Sequence, residues 1–119
     1  MSGEDKIIAS CHCGGVTIEL PRKPDYVNEC NCSLCTKLGS RCVYFRSDEL
    51  RIDGSFQDYV RADIDEPMIR FRRCANCGFW THWELLSEPP HDRMGVNARL
   101  LDPAALEGVE VRPVDGASW

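Results

Sequence analysis

Eight cysteines in a chain of 119 residues constrain this fold more than any other feature. They fall in close groups: Cys11 and Cys13, then Cys30, Cys32 and Cys35, then Cys74 and Cys77, with Cys42 alone. Such short C-x-C and C-x-x-C spacings suit two thiolates on one ion better than the ends of long disulfide loops. The opening residues MSGEDKIIAS carry no basic segment followed by a long apolar one, so no export signal is read there. The expected setting is a reducing cytoplasm, where four disulfides would not normally persist. No run reaches the roughly 18 apolar residues of a membrane span. Metal ligation, by zinc above all, is the expectation.

CANCG (74–78) is the strongest single signal. Two cysteines two residues apart can grip one ion from a tight turn, and a glycine after them permits the positive φ that such turns use. This is half of a zinc ribbon. The other half is available in CHCGG (11–15), where the two glycines allow the backbone to curl both thiols toward one ion. Cys11, Cys13, Cys74 and Cys77 then form a closed structural zinc site that pins the ends of a 67-residue segment, 11–77. His12 is expected to face away from that ion. His82 and His91 have no partner at ligand spacing and read as structural or exposed histidines.

CNCSLC (30–35) offers three thiols and no evident fourth. Three protein ligands with a position left open is the pattern of a catalytic zinc, whereas four close the site. Cys30, Cys32 and Cys35 are therefore read as ligands of a second, labile or catalytic zinc. Cys42 opens the apolar run CVYF and reads better as a buried small hydrophobe than as a fourth ligand. A redox dithiol in CSLC lacks the βαβ pattern that would frame it.

The chain between the clusters reads as one mainly-β domain over residues 1–119 with frayed ends. Val16-Thr17-Ile18-Glu19-Leu20 alternates apolar and polar like a half-buried strand, and PRKPD after it is a loop. Segments 42–46, 50–52, 68–73, 79–86, 94–100 and 109–114 read as further short strands. DPAALEG (102–108) has helix signals, with Asp102 as N-cap, and a short helical turn is expected after Cys32. The net charge of −5 argues against a nucleic-acid surface, and Arg70-Phe71-Arg72-Arg73 reads as a strand with solvated alternate residues.

Taken in order, CHCGGV, CNCSLCTKLGS and CANCG resemble the glutathione-dependent formaldehyde-activating enzyme family, whose relatives include centromere protein V. VNARLLDP (96–103) is similar to a later stretch of that family, so the resemblance spans about residues 9–108. It implies an Mss4-like fold of small packed antiparallel sheets. It also implies a structural zinc on Cys11, Cys13, Cys74 and Cys77, and a labile or catalytic zinc on Cys30, Cys32 and Cys35. The implied activity is that of a carbon–sulfur lyase joining glutathione and formaldehyde into S-hydroxymethylglutathione, with a small-molecule thiol as partner and no nucleic acid or membrane. Arg41 and Arg46 are candidates for the glutathione carboxylates, against a plain reading as surface ion pairs. Ser33 and Ser40 are candidates for hydrogen bonds near the sulfurs, against a plain reading as turn residues. The alternatives are a non-catalytic, zinc-stabilised binding module and a redox or metal-storage protein. No Ser-His-Asp grouping, paired-carboxylate site or phosphate loop is evident.

Overall fold

The computed structural model describes residues 6–39, 41–63, 65–86 and 93–115. Among them ten strands form two sheets. The smaller sheet has three strands in the order β1 (Ile7–Ser10), β2 (Thr17–Leu20), β5 (Arg51–Asp53). The larger has seven: β10 (Glu110–Val114), β3 (Tyr26–Cys30), β4 (Cys42–Arg46), β9 (Arg93–Asn97), β8 (Trp80–Leu85), β7 (Ile69–Cys74), β6 (Phe56–Val60). The mainly-β, Mss4-like architecture expected from the sequence is thus present. Pairing is antiparallel except between β10 and β3, which run parallel from Glu110 opposite Tyr26 to Val114 opposite Cys30. Those two strands lie far apart in the chain, so no hairpin dictates their direction.

The main core lies between the sheets. Ile18 and Leu20, the alternate residues of β2, are fully buried. They pack with Ala9, Val16, Val27, Val43, Phe45, Val96, Ala98 and Leu101. Each large apolar side chain buried there contributes about 1.5–3 kcal/mol. Alternation along β4 separates two faces. Val43 and Phe45 enter this core, while Cys42 and Tyr44 turn to the outer face of the large sheet beside Phe71, Trp80 and Trp83.

Trp80 and Trp83 are three residues apart, a spacing that would put them on opposite faces of a regular strand. A register shift resolves this, since Arg72 pairs with His82 but Arg73 pairs with Trp80, leaving Thr81 as the extra residue. The Thr81 hydroxyl donates to the Arg72 carbonyl at 3.2 Å. Such a bulge re-aims a side chain at the cost of one ladder position.

Three local expectations change. Strands β1, β3 and β6 had no distinct sequence signal. The helix read over 102–108 is only a 3-10 turn, Pro103–Leu106, although Asp102 does cap it by accepting from the Ala104 N–H at 2.9 Å. Residues 98–100, read as the end of a strand, form another 3-10 turn, Ala98–Leu100, in which the Leu101 N–H reaches the Ala98 carbonyl at 3.1 Å. The helical turn after Cys32 is present as α1 (Ser33–Leu38). The basic run is matched rather than free: Arg72 meets Asp58 at 2.9 Å, Arg70 pairs with Glu84, and Arg73 donates to Gln57 at 3.0 Å. No helix of the described residues is long and apolar enough to cross a membrane.

His82 is buried to 1% exposure, with Nδ1 2.9 Å from the Thr81 hydroxyl and its ring edge-on to Phe56. Burial pushes its pKa down from 6.5 to about 4, with the Arg72 and Arg70 charges acting in the same direction and Asp58 opposing them. The folded chain therefore keeps His82 neutral where the unfolded chain protonates it. Stability contributed by neutral His82 is whole above pH about 6.5 and is lost as the pH falls toward 4, by an amount on the order of 2–3 kcal/mol. Urea midpoints measured between pH 7 and 4.5 should fall more steeply for the wild type than for His82→Gln. Equal slopes would mean that the histidine is not held neutral.

Candidate metal centres and the adjoining cavity

Cys11 follows β1, Cys13 lies in the turn before β2, Cys74 ends β7, and Cys77 sits in the turn into β8. Their four sulfurs all lie within 4.8 Å of one another. Cys13 Sγ is 3.6 Å from both Cys11 Sγ and Cys74 Sγ. Four thiolates about 2.3 Å from a tetrahedral zinc ion stand about 3.8 Å apart, so the separations suit that ion. Gly14 and Gly78 take φ of 79° and 80°, the left-handed turns anticipated from the sequence. Backbone N–H groups point at the sulfurs: Val16 at Cys11 (3.3 Å), Gly15 at Cys13 (3.3 Å), and Asn76 and Cys77 at Cys74 (3.4 Å each). The Asn76 side chain and then the Gly15 N–H lower the Cys13 thiol to about 6, the condition a ligand thiolate needs. His12 stays outside the group and stacks on Phe79.

The second group is built by a strand end and a helix start. Cys30 closes β3, and Cys32 caps α1, its sulfur accepting from the Cys35 N–H at 3.4 Å. The Cys32 N–H in turn reaches Cys30 Sγ at 3.5 Å. All three sulfurs lie within 4.8 Å of one another, and all three residues are half-buried. Burial opposes the Cys32 thiolate, yet the N–H groups of Cys35 and Leu34 and the neighbouring thiols leave its pKa lowered. Cys42 falls outside this triplet. It is 7% exposed, and burial pushes its thiol up to about 12, in keeping with a small hydrophobe.

Cys30, Cys32 and Cys35 open on a cavity of about 320 Å³. Its other walls include Tyr44, Phe71 and Trp83 from the outer face of the large sheet, Leu34 from α1, and the cations Arg61 and Arg93. Cys42 lines it too, whereas none of the four sulfurs of the first group does. Trp83 lies against Gly95, its partner across β8 and β9. A Cβ on Gly95 would come within 2.0 Å of Trp83 Nε1, so only glycine lets the indole lie flat there.

The residues proposed from sequence as carboxylate readers lie elsewhere. Arg41 pairs with Glu29 at 2.6 Å and Arg46 with Asp48 at 2.8 Å, and neither lines the cavity. Ser33 donates to Asp63 at 3.4 Å rather than to a sulfur. Ser40 and His91 lie outside the described residues. The aromatic wall and Arg61 and Arg93 were missed. Their sequence positions carry no shared spacing: the pairing of β4, β9, β8 and β7 brings Tyr44, Arg93, Trp83 and Phe71 together, and Arg61 joins them from just beyond β6.

Gly95→Ala should displace Trp83 from the cavity wall, with an overpacking cost of about 1–3 kcal/mol. A red shift of tryptophan emission with a lowered denaturation midpoint would register this. An unchanged spectrum would mean that the indole does not rest on Gly95.

Comparison with known proteins agrees with this geometry. No curated protein matches the chain. A crystal structure of a Rhodobacter sphaeroides protein, solved as a structural genomics target, is 28% identical, covers 88% of this chain and 99% of its own, and superposes with a TM-score of 0.67. Residues 6–114 match the family described as glutathione-dependent formaldehyde-activating enzyme. With that match spanning all of the described strands and both thiol groups, the chain belongs to the glutathione-dependent formaldehyde-activating enzyme family.

Proposed function

We propose that this chain, as a single domain over 1–119, is a zinc-dependent enzyme of carbon–sulfur lyase type. It reversibly joins a thiol, glutathione by family, or a related one, to formaldehyde. The observation that carries the reading is the placement of Cys30, Cys32 and Cys35 on the wall of an aromatic-lined cavity, from which the four-thiol group is absent.

The roles follow from donor number. Cys11, Cys13, Cys74 and Cys77 would hold a structural zinc with four thiolates. Cys30, Cys32 and Cys35 would hold a second zinc with three, the donor number of a zinc that can take a substrate. When bound, that zinc keeps a coordinated thiol deprotonated and draws electron density from an aldehyde oxygen. The substrate sulfur forms a bond to the formaldehyde carbon, the carbonyl π pair moves to oxygen, and that oxygen takes up a proton, so thiol and aldehyde combine without loss of an atom. The backbone N–H groups of Cys32 and Cys35 steady the sulfurs of Cys30 and Cys32. Leu34, Phe71 and Trp83 limit water around the reacting atoms. None of the eight cysteines is disulfide-bonded, and the proposed setting is a reducing cytoplasm.

Zinc analysis of the reduced protein should give two ions, one weaker and displaced or perturbed by glutathione, with formaldehyde consumed only when glutathione is present. Two tight ions indifferent to glutathione, without formaldehyde consumption, would identify a binding module instead. Cys74→Ser should abolish the cooperative unfolding transition, because a structural zinc site contributes about 10–16 kcal/mol, more than a small domain's net stability. Cys35→Ser should keep the transition and the tight zinc while losing the weaker ion and formaldehyde turnover. The reverse pair of phenotypes would exchange the two roles.

A further inference from the structure

The cavity holds two arginines in different states. Arg61 is committed: its Nε and Nη2 meet the two carboxylate oxygens of Asp63 at 2.9 and 2.7 Å. That fork-on-carboxylate pair holds Asp63 down to about 2 and leaves the recognition edge of Arg61 occupied. Arg93, which opens β9, makes no ion pair with the described residues. Its guanidinium carbon lies 4.0 Å from the centre of the Tyr44 ring, and its Nη2 donates to the Tyr26 hydroxyl at 3.1 Å. Tyr44 is itself fixed, accepting from Asn28 Nδ2 at 3.1 Å and packing 6.0 Å from Trp83, ring centre to ring centre.

A cation stacked on a fixed ring is oriented before any ligand arrives, and one hydrogen bond to a tyrosine leaves the other donors of the fork available. Apart from the thiols, Asn28 and the two arginines, the lining is apolar or aromatic: Leu34, Tyr44, Ile69, Phe71, Trp83 and Val114. One cation without an ion pair among the described residues, beside an apolar chamber with the three thiols of the triplet and Cys42 in its wall, defines the chemistry of an occupant.

We infer that Arg93 is the specificity-determining anchor of this cavity: it takes a carboxylate of the thiol substrate, whose apolar stem lies along the aromatic wall with its sulfur at Cys30, Cys32 and Cys35. This rests on the reading of the triplet as the reactive centre. Within that reading, the site selects thiols that carry a carboxylate, and a small monocarboxylate thiol satisfies it without a peptide. Arg93 acts by binding and touches no reacting atom.

Calorimetric titration of the zinc-loaded protein with 3-mercaptopropionate and its uncharged counterpart 3-mercaptopropan-1-ol tests the assignment. The wild type should bind the carboxylate about tenfold or more tightly, the scale of a charge-assisted hydrogen bond. Arg93→Met should bring the two thiols within about twofold of each other by weakening only the acid. Arg93→Lys, which keeps the charge and loses the fork, should fall between. Circular dichroism of both variants checks that the fold is retained. Equal binding of acid and alcohol by the wild type, or an equal loss for both in Arg93→Met, would overturn the anchor. Adding formaldehyde separates this from the enzyme reading. Arg93-dependent thiol binding with no adduct formed would remove the lyase and keep the anchor. Adduct formation without preference for the acid would remove the anchor and keep the lyase. Failure of both thiols to bind would overturn both.

Discussion

The convergence of Cys11, Cys13, Cys74 and Cys77 is the constraint on which the rest of the structure depends. Among the described residues the two sheets share no strand pairing, and they meet through the core and at this group. Cys11 and Cys74 are buried within the same apolar cluster as Ala9, Val16 and Ile18, so the sulfurs close one end of the core. Cys13 and Cys74 are separated by 61 positions in the chain. Bringing such distant thiols together costs chain entropy that a few apolar contacts would offset only in part, whereas a metal ion on the four thiols would offset it outright.

With that end closed, the large sheet has two differently used faces. The inner face carries Val43, Phe45 and Val96 into the core. The outer face carries Cys42, Tyr44, Phe71 and Trp83 to the cavity. The bulge at Thr81 keeps Trp80 and Trp83 together on the outer face, and Gly95 makes room for the second of them. Strand β10 completes the arrangement at the other edge. It pairs along the whole of β3, and the Asn31 N–H reaches the Val114 carbonyl at 3.0 Å just beyond Cys30. The triplet is thus held by a paired strand on one side and by a short capped helix on the other, a rigid setting for three neighbouring thiols.

How far the sequence could be read depended on the range of each interaction. Ligand spacing and strand alternation are local, so the thiol groups, β2, β4, β7 and β10 were legible. Strand β6 was not, because it lies at the sheet edge with nearly every residue exposed and shows no apolar alternation. Strand β3 mixes polar and apolar residues and runs directly into the cysteines, so its register depends on β10 far along the chain. Arg41 and Arg46 follow the triplet closely, yet sequence proximity did not bring them to the cavity. Arg61 and Arg93, at distant positions, line it instead.

By itself the sequence determined the family, the mainly-β class and the two sets of thiols, because within each short motif the cysteines sit two or three residues apart wherever the rest of the chain goes. Only the tertiary structure decided that three of those thiols face a cavity while four do not. It also decided that Cys42 lines the cavity outside the triplet, and that one arginine of the cavity is spent on Asp63 while another stands stacked on Tyr44. Those outcomes follow from which strands become neighbours and which face each side chain takes. Pairing between residues far apart in the chain fixes both, and no short stretch of sequence encodes it.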